Sequence, residues 1–149
     1  MIELNIQLDG DEKLHRVLMN AETKLRDFTE PLTQSGDIVL KDIRINFDTQ
    51  GGLVGGWTPL AQATIRGRIR AGYGAAPILV NTGKYKNSFR AIVDNTKAVI
   101  DAWGISYHKY HQSMSPRTRL PRRQTIFLRE ETKKEIQRFF QEYLRFNKG

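Results

Sequence analysis

Apolar residues recur at two different periods along this chain, and the periods predict its elements. Residues 2–8 alternate apolar with polar side chains, which is the pattern of a half-buried strand. Residues 12–29 carry apolar side chains three and four positions apart, which predicts an amphipathic helix. Pro31 is placed where a second helix can begin, with an inner face that continues to Phe47. A break at Gly36-Asp37 and a strand over 43–47 are both compatible with this second pattern.

The second half of the chain predicts a hairpin and a terminal helix. Residues 89–93 and 98–100 are apolar runs on either side of Asp94-Asn95-Thr96, and Asp and Asn favour turns. Residues 106–113 predict one or two helical turns. Residues 126–128 form a short apolar strand or anchor, and helical periodicity resumes at Glu130.

Glycine and proline mark two long loops. Residues 48–58 contain four glycines, and residues 59–74 contain three more that argue against a stable helix. We expect loops at about 48–76 and 113–124 to project from the body and to become ordered mainly on assembly. The fold expected for residues 1–149 is a single α+β domain, with a small antiparallel sheet packed by two N-terminal helices and one C-terminal helix.

Length and composition exclude several classes of protein and site. A chain of 149 residues can bury one core without a metal or disulfides, and the absence of cysteine excludes a thiolate metal site and a cysteine nucleophile. No apolar run approaches the roughly 20 residues needed to cross a bilayer. The first residues lack the basic start and apolar stretch of a secretion signal. We expect a soluble protein, made in the cytoplasm, with no membrane partner.

Charge divides the chain sharply. Residues 49–128 hold twelve Lys/Arg and two acids (+10), residues 1–48 hold six bases and ten acids (−4), and residues 129–149 hold six bases and four acids (+2), which sum to the net +8. Such a division predicts a surface that meets an anionic partner, or one that packs against an oppositely charged neighbour. The acidic first third can supply that neighbour if copies of the chain assemble.

Five segments in the middle of the chain follow the order of a known family. They are residues 55–60 (Gly-Gly-Trp-Thr-Pro-Leu), Thr64 with the basic residues after it, residues 78–88 with their Leu-Val-Asn-Thr-Gly core, residues 110–112 (Tyr-His-Gln), and residues 120–128. This order resembles the virion-morphogenesis, or tail-completion, family of tailed bacteriophages. The resemblance covers about residues 10–146. Ser113-Met114 and Gln124-Thr125 depart from the family pattern, which has an aromatic with a glycine, and a proline, at these places.

The resemblance implies a non-catalytic structural protein of the virion, without a cofactor, assembled in the host cytoplasm. It would complete the tail or neck as a homo-oligomeric ring, with six copies expected, between the head connector and the tail tube or tail terminator. The candidate residues for contact with neighbours or with passing genomic DNA are Trp57, Arg66, Arg68, Arg70, Arg117, Arg119, Arg122 and Arg123. For Trp57 the alternatives are an anchor in a neighbouring subunit and a lid on its own core. For the arginines the alternative is a solvated basic face.

The sequence offers little for catalysis. His108 and His111 are three positions apart, as two metal ligands on one helix face would be, but packing or hydrogen-bonding roles are favoured because no pattern supplies further ligands. A metal-dependent nuclease using Asp94, Asp101 and His111 is the weakest alternative. A nucleic-acid-binding protein without sequence preference, acting alone, is the stronger one.

Overall fold

The computed structural model describes residues 12–75, 77–113 and 120–145, without the side chains of Lys13 and Leu14. The strand predicted over residues 2–8 lies outside these ranges. The α+β class is confirmed, since the described residues combine helices with one two-stranded antiparallel sheet. The elements are α1 (Glu12–Arg26), α2 (Thr29–Asp48), α3 (Gln62–Arg70), β1 (Phe89–Val93), β2 (Ala98–Ala102), α4 (His108–Gln112) and α5 (Glu130–Leu144).

Helix α2 is the centre of the fold. Its buried face carries Val39, Ile43 and Phe47, which pack with Phe89 and Ala102 of the hairpin. The helix is continuous through Gly36, so the predicted break is wrong, as is the alternative strand over 43–47. Gly36 is needed for close approach, because a Cβ there would lie 2.9 Å from the Cβ of Ala91.

The β-hairpin is confirmed, with Phe89 paired to Ala102 and Val93 paired to Ala98. Its turn is built by the Asp94 carboxylate, which accepts hydrogen bonds from the backbone N–H groups of Thr96 (2.7 Å) and Lys97 (2.9 Å). These hydrogen bonds lower the pKa of Asp94, the Thr96 N–H having the largest effect. Asp94 therefore has a local structural role in the turn.

Helix α5 packs beside α2 and is fixed there by a buried carboxylate. Asp42 of α2 accepts two hydrogen bonds from the Arg129 guanidinium (2.8 and 3.1 Å) and one from the Thr132 hydroxyl. The terminal helix is thus confirmed, and residues 126–128 precede it as an anchor without strand structure. The hydrogen bonds that join α1 to the rest of the described chain lie at its end, where Lys24 donates to the carbonyl oxygens of Tyr143 and Arg145.

The expectation that residues 48–76 form a long loop without a stable helix is wrong. A 3₁₀ turn (Gly52–Val54) packs beside α2, and α3 forms despite Gly67, which costs only about 1 kcal/mol relative to alanine in a helix. Gly72 does not prevent the helix but ends it, at φ +81° and with its N–H bonded to the carbonyl of Ile69. In the second predicted loop, residues 114–119 lie outside the described ranges, and residues 120–124 pack onto the body.

None of the helices within the described ranges is both long and apolar enough to cross a membrane.

Candidate interaction surface

A buried network joins segments that are far apart in the chain. The carbonyl oxygen of Gln124 accepts hydrogen bonds from the indole Nε1–H of Trp57 (2.9 Å) and from the amide Nδ2 of Asn46 (3.1 Å). The side-chain oxygen of Asn46, which is fully buried, accepts the N–H of Leu53 (3.2 Å). Because these polar groups satisfy one another away from water, the glycine-rich segment and the segment after Pro121 have fixed positions relative to α2.

Gln112 makes a similar bridge from α4. Its side-chain oxygen accepts the backbone N–H groups of Thr125 (3.0 Å) and Ile126 (3.2 Å), and its amide nitrogen donates to the Ile126 carbonyl. A glutamine side chain that pairs with the backbone in this way replaces a strand neighbour for the segment 125–126. This explains how an irregular segment can be held against the core.

Tyr85 is buried, and its ring contacts the rings of Phe47, Phe89 and Tyr107. Its hydroxyl lies 2.7 Å from Nδ1 of His108 and 3.0 Å from Oγ1 of Thr125. Burial raises the pKa of Tyr85 to about 12 and lowers the pKa of His108. The ring of His111 stacks on Tyr85 with centroids 5.7 Å apart. The two histidines therefore pack and hydrogen-bond around one tyrosine, as the favoured interpretation predicted.

Trp57 belongs to this core. Only 6% of its surface is exposed, and its ring meets Phe47 edge-on at 5.2 Å between centroids. Trp57 therefore packs on the core of its own chain, as one of the two alternatives predicted. The other alternative, an anchor inserted into a neighbouring subunit, is wrong for this side chain. Gly51 allows the fold-back, because a Cβ at this position would lie 2.5 Å from the indole.

Arg123 is also structural. It is 6% exposed, and its guanidinium donates to the carbonyl oxygens of Thr58 (3.0 Å) and Pro59 (3.3 Å). Burial, and secondarily the charge of Arg68, lower the pKa of Arg123. The expectation that Arg123 faces DNA or a partner is therefore wrong, since its hydrogen-bonding groups hold the backbone of its own chain.

Arg68 lines a cleft next to Arg123. The cleft has a volume of about 590 Å³ between the start of α3 and the segment 120–123, with Thr64, Leu79 and His111 also at its wall. The Arg68 guanidinium donates to the carbonyl of Pro77 (3.1 Å). This side chain is half-buried, so it contributes positive charge to the cleft instead of to the outer face of α3.

Arg66 and Arg70 lie on the outer face of α3, and both are exposed. Residues two positions apart lie on the same face of a strand. In a helix, residues four positions apart lie on the same face and residues two apart do not. The helix therefore separates Arg68 from the other two arginines. Among the described residues, no acid lies within ion-pair distance of Arg66 or Arg70. Arg122 is exposed and its Nε donates to the Gln112 carbonyl (3.3 Å), whereas Arg117 and Arg119 lie outside the described residues.

Five exposed acids lie on α1, between α1 and α2, and on the first half of α2. They are Glu12, Glu22, Asp27, Glu30 and Asp37. The same two helices also carry exposed bases (Arg16, Arg26, Lys41 and Arg44), and α5 carries exposed acids (Glu130, Glu131 and Glu142), so the division of charge in the sequence is only partly a division between elements. We define Arg66, Arg70 and Arg122 as the basic surface and these five acids as the acidic surface.

The residues of the nuclease alternative do not form a site. Asp94 builds the hairpin turn, Asp101 is exposed on the outer face of β2, and His111 is buried against Tyr85. Within the described ranges, no group of three or more acidic or histidine side chains is placed to hold a metal ion.

Comparison of the chain with protein-family models, curated proteins and solved structures gives no match.

Proposed function

We propose that this chain is a structural protein of the tailed-bacteriophage virion that completes the tail or neck. Copies form a homo-oligomeric ring, expected to be a hexamer, between the head connector and the tail tube or tail terminator. The protein acts in the virion through contacts with protein, and it has no catalytic role.

The observation that carries the proposal is the contact among the segments of the resemblance. Residues 55–60, 78–88, 110–112 and 120–128 are separated along the chain, yet Trp57, Tyr85, Gln112 and Gln124 join them through one buried hydrogen-bonded network. A pattern spread along a sequence is meaningful when its members depend on one another in the fold. Here the pattern coincides with the parts that fix the core, which supports the resemblance as one of fold.

The distribution of charge supports assembly into a ring. Each copy carries the five acids of the acidic surface, with exposed bases among them on α1 and α2, and the basic surface on α3 and at Arg122. Two different complementary surfaces on one subunit make head-to-tail contacts, and such contacts close into a ring when the rotation between copies allows it. Exposed charge pairs are individually weak, so the contact should respond strongly to salt.

Nucleic-acid binding by an isolated chain is the second candidate, because Arg66 and Arg70 are exposed, close together and not paired with a described acid. Contacts to phosphates would give binding without sequence preference and with a steep dependence on salt.

Size-exclusion chromatography with light scattering, at low and high salt, tests the ring. We expect a discrete oligomer at low salt that dissociates at high salt. The double substitution Arg66→Glu/Arg70→Glu should abolish it, whereas Lys133→Glu/Lys134→Glu, with the same charge change on α5, should not. A chain that stays monomeric at every concentration but binds duplex DNA in a salt-dependent way would favour the second candidate.

A further inference from the structure

An apolar groove lies between α2, α5 and the hairpin. Its volume is about 460 Å³, and its walls include Leu32, Ile100, Phe127, Ile136 and Phe140. Ser35 is the one polar side chain among the described lining residues, and its hydroxyl already donates to the carbonyl of Pro31 (2.6 Å). The groove therefore offers carbon surface and no unsatisfied polar side chain, so an occupant should be apolar.

One wall of the groove is strand β2, whose second edge has no strand partner among the described residues. Strand β2 pairs with β1 on one side, and its inward residues Ala98 and Ile100 line the groove, whereas no residue of β1 does. Among the described residues, no backbone hydrogen bond joins β2 to the segment 126–128 on the far wall. A free strand edge beside an apolar groove fits an extended segment that adds backbone hydrogen bonds and inserts every second side chain.

The chain contains a segment with that pattern. Residues 2–8 place apolar side chains at every second position and polar ones between them, which predicts a strand with one apolar face. The apolar positions are Ile2, Leu4, Ile6 and Leu8. The apolar positions of this segment match the carbon lining of the groove in chemistry, and their period is that of an added strand.

Features of helix α1 support a neighbouring copy as the source of the segment. Its 15 residues span about 22 Å, and the hydrogen bonds that attach it to the described body are at its C-terminal end, near Lys24. Leu18, Met19 and Leu25 are each at least half exposed along it. An exposed apolar stripe on a helix attached at one end is typical of an arm that packs against another molecule.

We propose that residues 2–8 of one copy bind as a third strand along β2 of a neighbouring copy, with their apolar side chains in its groove. The inference rests on the proposed ring, and it identifies a contact by which one copy binds the next. It assigns the groove an occupant from a second copy of this chain, carried by α1 as an arm.

Cysteine cross-linking tests the contact directly, because the natural chain has no cysteine. Ala98→Cys in the groove is mixed with a tagged second protein carrying one cysteine in residues 3–8, and the mixture is oxidised mildly. We expect disulfides between the two proteins for Leu4→Cys, Ile6→Cys and Leu8→Cys, and far fewer for the polar-face controls Glu3→Cys, Asn5→Cys and Gln7→Cys. Equal yields on both faces, or no disulfide at any position, would overturn the proposal.

The double variant Ile6→Cys/Ala98→Cys in a single chain decides between the two sources of the segment. A disulfide that closes within one chain at high dilution would assign the groove to the chain's own N-terminal segment and would contradict binding by a neighbour. Disulfides that form only between chains support the proposal.

A matched pair of charged variants separates this inference from the ring itself. Ile6→Asp should weaken association roughly 10- to 100-fold, because an apolar side chain no longer enters the groove, while Gln7→Asp adds the same charge with little effect. Both should unfold at the wild-type denaturant concentration when measured on dilute monomer. If the wild type associates and both variants match it, the arm is wrong and the ring stands. If the wild type never associates, both proposals are wrong.

Discussion

The burial of Trp57 gives the sharpest test of the core described above. Replacing it with alanine removes a ring that packs edge-on against Phe47 and the N–H that bonds to the Gln124 carbonyl. Truncation of a buried aromatic typically costs about 3–5 kcal/mol. The lost hydrogen bond belongs at the low end of about 0.5–1.5 kcal/mol, because Asn46 still donates to the same carbonyl. We therefore expect Trp57→Ala to lose about 3–5 kcal/mol in total.

The second tryptophan of the chain is a matched control. Trp103 is 57% exposed and its described partner is the Arg90 guanidinium, 6.0 Å from the ring centre. Trp103→Ala should therefore cost no more than about 1 kcal/mol, the size of an exposed cation–π contact. Urea unfolding followed by circular dichroism gives both values, at a dilution where the chain is monomeric.

Two results would contradict the burial of Trp57 in the core of its own chain. One is an equal loss for the two tryptophan variants. The other is a loss for Trp57→Ala that appears only at concentrations where copies associate, because that dependence is the mark of an intersubunit anchor.

Three further predictions concern single side chains. Gly51→Ala should be more destabilising than Gly56→Ala by about 1–3 kcal/mol in urea unfolding. Both glycines have positive φ, but only at Gly51 would an added Cβ meet the Trp57 ring. Equal losses would contradict the packing of Trp57 on its own core. Asp42→Ala should lower the free energy of unfolding by about 2–4 kcal/mol, because it leaves the Arg129 guanidinium and the Thr132 hydroxyl without their acceptor. Glu131→Ala removes an exposed partner of the same arginine and should lower it by no more than about 0.5 kcal/mol in the same assay. Because the pKa of Tyr85 is raised to about 12 in the fold from about 10 in the unfolded chain, its contribution to the free energy of unfolding is intact below pH 10 and is lost as the pH rises to 12. Denaturation measured across this range should show a fall that Tyr85→Phe reduces and that Tyr73→Phe, at an exposed site, leaves in place.

Local rules predicted the elements whose signals are local. The helical spacing of apolar residues over α1 and α5, and the Asp-Asn turn of the hairpin, depend on neighbours within a few positions. These elements lie close to where the sequence places them. The central helix was also predicted, but its continuity through Gly36 was not. A glycine at this position is required by the close approach of Ala91, which no local pattern shows.

The segment 48–76 could not be predicted locally because distant residues order it. Asn46 and Trp57 both reach the Gln124 carbonyl, 78 and 67 positions away in sequence, and no local pattern encodes such a meeting. The signal that was available is the proline after Trp57 together with a polar residue on the buried face of α2. For α3, the three glycines of residues 59–74 argued against a helix, whereas Ala63, Ile65 and a stop at Gly72 are compatible with one.

The candidate surface shows the same limit. The sequence grouped Arg122 with Arg123, yet the first is exposed and the second is buried on the Thr58 and Pro59 carbonyls. The aliphatic part of an arginine side chain can pack along a core while its guanidinium donates to backbone carbonyls. An arginine between a proline and an apolar run can therefore have a structural role as well as a binding role. Only the positions of the accepting carbonyls decide between the two, and these come from the tertiary fold.

Native mass spectrometry of the intact chain at low ionic strength shows directly whether copies close into a ring. Closure of identical head-to-tail contacts predicts one discrete oligomer, expected to be six copies, whose stoichiometry does not grow when the protein concentration is raised. A chain that is monomeric at every concentration, or an open series of dimers, trimers and larger species without a limit, would contradict it.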